Sequence, residues 1–412
     1  MTDSTMLGAE RAAAGVPEFP MPRAAGCPFD PPPGLRALQA EGPLTRVRLW
    51  DGSTPWLVTG YAEQRALLAD ARISADGRHP HFPHVGVAQR EMRRREPSFI
   101  GMDDPEHARL RRMVTAAFTI KRVEALRPRI QRIVDDLIDD LLAGPSPVDL
   151  VTAFALPVPS MVICELLGVP YADHDFFQAN SRILINMGSA PEQVRAARQR
   201  LVDYLDGLLG ERVADPGDDL LSGLARRVDA GELSRHDAAL MGVLLLVAGH
   251  ETTANMIALG TLALLQHPDQ LAALCATSDP QLIAGAVEEL LRYLTIVHTG
   301  RRRVALQDVE IDGRTIRAGE GVILANDTGN RDEAMFADPD RLDVHRDARG
   351  HVAFGFGVHA CLGQPLARVE LQVVYGTLYR RIPTLRLAVE LDRIAYKHDG
   401  AVYGVYGLPV TW

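Results

Sequence analysis

Cysteine is scarce in this sequence. Cys27, Cys164, Cys275 and Cys361 stand far apart in 412 residues, and no pair has the spacing of a metal finger or a redox couple. A disulfide framework is not expected; a reducing cytoplasm is, and each thiol needs its own explanation. Long apolar runs are missing too. The longest, Ala238 to Gly249, has twelve residues, too few to span a bilayer. The opening stretch MTDSTMLGAERAAAG lacks the apolar core of a signal peptide. A cytoplasmic protein with no membrane partner is expected. There is no cationic excess: the net charge is −9, which argues against nucleic acid as a partner. Nor is any interior stretch Gly/Ser-rich, low in complexity or repetitive. A single domain over residues 28–412 is therefore expected, preceded by an extended arm over 1–27. The Pro-rich segment 16–33 should lie on the surface. Hydrophobic residues make up 47% of the chain, enough for a sizeable core.

Helical patterning dominates what is present. Near the N-terminus, LTRVRLW and TPWLVTG flank Asp51-Gly52 and predict a hairpin. Residues Ile73 to Arg95 are polar, carry little periodicity and read as a long loop. From Asp104 onward helices are predicted over HARLRRMVTAAFT and over RPRIQRIVDDLIDDLLAG, the latter closed by Gly144. Others fall near 161–168, 173–186, 191–213 and 234–265, and over DPQLIAGAVEELLRYL. RRRVAL, VEIDGRTIRAG and GVILA predict short strands, with a turn at Asp312-Gly313. The last helix is PLARVELQVVYGTLYRRI. The class is mainly α with small β sheets.

One cysteine has a telling context. Phe354-Gly355-Phe356-Gly357-Val358-His359-Ala360-Cys361-Leu362-Gly363 places a thiol at the end of a glycine-rich loop and just before a helix. Unpaired N–H groups and the positive dipole end of a helix favour thiolate. Gly355, Gly357 and Gly363 remove side chains where the backbone must approach a flat macrocycle or adopt positive φ. Such a thiolate suits the axial position of haem iron. Gly355-x-Gly357-x-x-Ala360 also matches a loose dinucleotide fingerprint, but no acid follows in the window 375–381, where that motif needs one. A cysteine without this context would by default be buried and inert.

Two further patterns stand out. Ala248-Gly249-His250-Glu251-Thr252-Thr253 sets an acid and a hydroxyl inside the apolar helix 238–265, with residues 244, 248, 251 and 252 on one face. Gly249 weakens that helix by roughly 1 kcal/mol and suggests a local opening for dioxygen and water. Thr252 can then hydrogen-bond reduced dioxygen, and Glu251 can relay protons from solvent. The alternative is a Glu on the helix's solvated side and a Thr bonded back to a carbonyl. Glu289 and Arg292, at i and i+3, make an ordinary helix pair, which at a surface is worth little. Arg341 is the candidate to complete a buried charge cluster with them.

Together and in this order, these motifs resemble the cytochrome P-450 superfamily, the haem-thiolate monooxygenases, over about Pro28 to Trp412. The resemblance implies the cytochrome P-450 fold, a triangular helical prism around buried haem b (iron protoporphyrin IX). It implies Cys361 as the iron ligand, with Phe354, Gly355 and Gly363 around it. His107, Arg111, Arg303 and His359 become haem contacts, a cationic and donor set suited to two propionates. The activity implied is insertion of one atom of O2 into a small organic molecule, by hydroxylation or epoxidation. Secondary-metabolite tailoring or xenobiotic oxidation, as in soluble actinobacterial enzymes, is the expected setting. A peroxide-driven peroxygenase and a non-catalytic haem protein are the alternatives, and Glu251-Thr252 argues against both. No flavin or iron–sulfur segment is read after the last helix, so electrons are expected from a separate ferredoxin with its ferredoxin reductase, reaching a monomer. Pocket-lining segments are expected at 74–100, 176–200, Ile296-Val297-His298 and Tyr403 to Tyr406, with Leu244, Val247 and Ala248 facing the pocket. The arginines of 74–100 (Arg78, Arg90, Arg93, Arg94, Arg95) either favour a polar or anionic substrate or belong to a solvated loop. For ferredoxin docking the candidates are Arg109, Arg112, Lys121, Arg122 and Arg368, with Arg72 alongside.

Overall fold

The computed structural model describes residues 15–24 and 26–412. In chain order the helices are α1 (Pro33–Glu41), α2 (Tyr61–Ala69), α3 (Val87–Arg95), α4 (Glu106–Thr115), α5 (Ile120–Ala143), α6 (Pro157–Leu167) and α7 (His174–Ile185). They continue as α8 (Pro191–Ala214), α9 (Leu220–Asp229), α10 (Arg235–Gln266), α11 (Pro268–Ala276), α12 (Pro280–Leu294), α13 (Asn326–Gly329) and α14 (Gln364–Arg381).

The strands are few and short. A five-stranded sheet has the order β1 (Leu44–Arg46), β2 (Trp56–Val58), β8 (Gly321–Leu324), β5 (Arg301–Ala305), β3 (Ile73–Ser74). Only β2 and β8 run parallel, with Trp56 opposite Val322. Strand β4 (Val148–Asp149) pairs with β10 (Pro409–Thr411), which also pairs with β9 (Arg386–Leu387). β6 (Val309–Ile311) and β7 (Arg314–Ile316) form the expected hairpin. Its turn residues Asp312 and Gly313 have φ of 48° and 65°, the left-handed pair that a tight two-residue turn demands.

The core is helical. α10 runs through its centre, packed against α6 and α8, while α14 lies on α5 and α12. By length and composition α10 could cross a membrane, but its apolar side chains are spent on this core. Gly249 serves the packing and does not open the helix. A Cβ there would sit 2.6 Å from Ile163 on α6, and α10 is continuous from Arg235 to Gln266.

Two expectations about the N-terminal half change. The segment 73–95 is not a bare loop: it begins with β3 and ends with α3. The Pro-rich segment does not merely lie on the surface. Phe19 is buried, and its backbone pairs with Arg48. Arg23 is buried against Asp327 at 3.0 Å and over the Tyr403 ring. Residues 1–14 and 25 of the expected arm lie outside the described residues.

Candidate active site

The Cys361 loop folds back on itself. Gly355 donates its N–H to Val352 O at 2.8 Å, Ala360 to Gly357 O at 3.0 Å and Cys361 to Phe354 O at 2.8 Å. Cys361 is thereby left exposed just ahead of α14. Gly355 and Gly357 have φ of 74° and 73°, where a side chain is strained. A Cβ on Gly357 would also meet the Leu68 carbonyl oxygen at 2.3 Å. Gly363 is different. Its φ is an ordinary −79°, yet no protein atom lies within 4 Å of the place a Cβ would take.

Donors gather beside the loop. His107 on α4 and His359 in the loop have ring centroids 4.1 Å apart. His107 Nδ1 bonds Asp104 Oδ1 at 3.0 Å. Its Nε2 and the Nδ1 of His359 are buried and without a partner. Desolvation, then the charges of Arg303, His107 and Arg111, push His359 down to about 3, so this ring is a neutral donor. Arg111 Nη2 donates to Ala360 O at 2.7 Å and ties α4 to the loop. On β5, Arg301 and Arg303 alternate onto one face. Arg301 Nη2 donates to Ala353 O at 2.9 Å, while its buried Nε has no partner. Burial pulls the guanidiniums of Arg111 and Arg301 down, and the charge of Cys361 works against that.

Helix α10 carries the complementary feature. From Ala238 to Leu264 its residues are buried except Leu244, Val247, Ala248, Gly249 and Thr252. Leu244, Ala248 and Thr252 are four residues apart, so the exposed surface is one stripe in the middle of a core helix. Thr252 Oγ1 donates to Ala248 O at 2.8 Å. Glu251 leaves the face expected for it: it is buried, with Oε1 3.9 Å from His250 Nε2 and Oε2 4.0 Å from Lys397 Nζ.

The cytochrome P450 family model matches residues 45–382. This chain belongs to the cytochrome P450 family. Cytochrome P450 GfsF of Streptomyces halstedii is 56% identical over 414 residues, covering 100% of both chains. The crystal structure of GfsF superposes with a TM-score of 0.91 at 57% identity, over 96% of this chain and 100% of that one. Pentalenic acid synthase of Streptomyces avermitilis is 52% identical over 395 residues, 96% of this chain and 97% of that one. The structure of the mycinamicin VIII C21 methyl hydroxylase MycCI of Micromonospora griseorubida, bound to mycinamicin VIII, superposes with a TM-score of 0.89. It is 41% identical over 96% of this chain and 100% of that one.

The activity is therefore that of a P450 monooxygenase, and its cofactor is haem b. The residues present fit that group. Cys361 offers an exposed sulfur, Gly363 puts no side chain in the approach, and His107 and His359 hold buried ring nitrogens without a partner, which in their protonated form suit carboxylates.

The Glu289–Arg292 pair of this P450 is not a surface pair. Both side chains are fully buried, with Nε to Oε2 at 2.7 Å and Nη2 to Oε1 at 2.8 Å. Arg292 Nη1 also donates to the carbonyls of Asn330 and Pro339. Arg341 does not complete the cluster: its exposed side chain pairs with Asp343, and only its carbonyl turns inward. Arg346 takes that place, with Nε 3.2 Å from Glu289 Oε1. The preceding carboxylate, Glu288, binds His351 and Arg368. Burial alone would raise it, but those hydrogen bonds outweigh burial and hold it at about 2. Arg368 is thus taken out of the docking set, its guanidinium fixed on Glu288 and stacked on Phe354. Arg109 is bridged to Glu106 at 2.6 Å and Arg72 to Asp70 at 2.6 Å.

A cavity of about 190 Å³ opens along α10, walled by Leu244 and Val247 from that helix, Leu184 and Ile185 from α7, and Arg93 and Arg198. Ile296, Val297 and His298 do not line it, nor do Tyr403 to Tyr406. His298 is committed to Gly400 O at 2.7 Å, and Tyr403 is wholly buried. Sequence patterning missed Lys397 and Arg301. Neither had a local signal, because each acts through a partner more than fifty residues away.

Proposed function

We propose that this P450 hydroxylates or epoxidises a small secondary metabolite, with electrons from a separate ferredoxin and its reductase, as a cytoplasmic monomer. The pentalenic acid synthase and the mycinamicin hydroxylase support a tailoring role. The observation that carries the catalytic assignment is the Leu244–Ala248–Thr252 stripe, polar only at Thr252, on a helix otherwise buried.

Haem b, held by the Cys361 thiolate, supplies activation of dioxygen and transfer of one of its atoms to the substrate. The other atom leaves as water, so each turnover consumes a pair of electrons and a pair of protons. Thr252 holds its hydroxyl proton on Ala248 O, and a modest rotation can turn it off that carbonyl along the exposed stripe. Glu251 is the proton carrier behind it. Lys397, partly exposed and 4.0 Å from Oε2, links it toward solvent. Leu244 and Val247 present an apolar wall that excludes water from the substrate's reacting carbon. His107, His359, Arg111 and Arg303 are the residues that would bind and orient the propionates.

Thr252→Ala tests the assignment. Haem and substrate binding should persist and NADPH should still be consumed. Product per NADPH should fall several-fold, with the lost electrons recovered as hydrogen peroxide or water. Fully coupled turnover in this variant refutes the role.

A further inference from the structure

The arginines of residues 74–95 have separate fates. Arg78 is fixed on Asp76 at 2.8 Å. Arg90 stacks on Trp50, Arg94 donates to Pro80 O at 3.3 Å, and Arg95 is exposed. Arg93 alone turns inward, onto the wall of the cavity beside α10. Two glycines make room for it. A Cβ on Gly77 would come 2.9 Å from Arg93 Cβ, and one on Gly101 would come 3.5 Å from its Nη1.

Among the described residues no carboxylate pairs with Arg93. Its one recorded partner is the Phe82 ring, 5.8 Å from Cζ. The acid on the same wall, Glu96, is already taken: Arg198 Nη1 lies 2.8 Å from its Oε2 and His236 Nε2 lies 3.6 Å from Oε1. Asp103 is bonded to Ser74 and to the Ala75 N–H. Arg93 is half-buried by surface area, and the protein packed around it pushes its guanidinium down. Its field reaches three neighbours. After burial itself, Arg93 is the next cause that lowers His84 to about 4 and Arg302 to about 9. Together with Arg301 it also lowers Arg303, to about 10. A half-buried guanidinium on a cavity wall with no carboxylate beside it is open to an anionic ligand.

We propose that Arg93 is the anchor for a carboxylate on the substrate, whose apolar body lies along Val243, Leu244 and Val247. The planar fork of Arg93 matches a carboxylate in bidentate geometry. The haem propionates already have His107, His359, Arg111 and Arg303, so this guanidinium is left for the ligand. The inference rests on the monooxygenase reading and narrows its substrate to an amphipathic acid.

Ferric holoenzyme should be titrated with decanoate and decan-1-ol, and with 4-phenylbutyrate and 4-phenylbutan-1-ol, following the Soret shift. In the unaltered protein each acid should bind roughly tenfold or more tighter than its alcohol, the expected scale of a charge-assisted pair in a cavity. Arg93→Gln should erase that preference and leave alcohol binding within about twofold. Arg93→Lys should retain part of it. Because Arg93 pairs with no carboxylate among the described residues and its ring contact is loose, neither variant should lose thermal stability or haem content. Absence of any acid preference in the unaltered protein overturns the proposal. So does an Arg93→Gln variant that weakens acid and alcohol alike, or one that releases haem faster, which would assign the guanidinium to a propionate. Loss of the reduced-CO thiolate band in the unaltered protein would instead remove the monooxygenase reading beneath it.

Discussion

Cys361 and Cys164 show how one residue type takes opposite roles. Cys164 is buried in the core of α6, where desolvation, helped by Asp173, pushes its thiol up to about 12. It behaves as a small hydrophobe. Cys361 is exposed, beside Arg301 and Arg111, at the foot of a helix. Only a thiolate of this kind ligates iron well. Cys361→Ala should abolish the far-red-shifted Soret band of the reduced, CO-bound protein. Alanine at Cys27, Cys164 or Cys275 should leave it intact. A normal spectrum in the Cys361 variant would falsify the ligand assignment. The ten residues around Cys361 are enough to read this role, because loop glycines and a following helix are local features. Arg341 shows the opposite. Its place in a charge cluster could not be read locally, since Arg346, five residues on, reaches Glu289 from the same irregular segment. Which of two arginines turns inward is decided by the fold of residues 330–353, which has no period to read.

At the scale of elements, α4, α5 and α12 were legible because each has an apolar face and a recognisable start or stop, and α10 because it is a long, nearly unbroken apolar run. Helix α3 was not. Val87–Arg95 has no buried residue, so it lacks the stripe on which periodicity depends. Helix α14 holds a titratable group that no pattern revealed. Glu370 is fully buried, and desolvation raises it to about 8 against a hydrogen bond from Thr253. Its Oε1 has no partner. The folded state therefore keeps a proton that the unfolded chain gives up above its ordinary value of 4.5. Stability from this site is undiminished below pH 4 and declines as pH rises through the window from about 4.5 to about 8. At pH 7 the loss is at most about 3 kcal/mol. Glu370→Gln should thus raise the unfolding free energy by up to that amount at pH 7 and change little near pH 4. Urea unfolding at both pH values, with the holoenzyme, measures it. An equal effect at the two pH values would show that Glu370 acts by packing and not by its proton.

The whole molecule carries a net charge of −9, and a ferredoxin that is also acidic must find a local patch of opposite sign. The structure shortens the list of cations able to form one. Arg368 is bound to Glu288 and Arg109 to Glu106. Arg122 lies 3.9 Å from Asp218 in an exposed, loose contact. Arg112 and Lys121 are exposed and, among the described residues, have no acidic partner. Arg112 closes α4, the helix that also presents His107 and Arg111, and Lys121 opens α5 directly after it. Exposed Ile120 and Val358 add apolar surface, the latter three residues from Cys361. A few exposed cations with some exposed apolar surface suit a brief electron-transfer encounter, which rests on steering more than on buried area. Ferredoxin-driven turnover should therefore fall as salt rises. Charge reversal by Arg112→Glu together with Lys121→Glu should raise the apparent KM for ferredoxin by roughly tenfold, the size expected when steering is lost. Substrate affinity from the Soret shift should stay unchanged, since neither residue lines the cavity. Reversal of Arg368 is a poor probe, because it would set a second carboxylate against Glu288 and disturb the loop fold as well as docking. If the double reversal leaves both the KM for ferredoxin and the salt dependence as they were, electrons enter through another face.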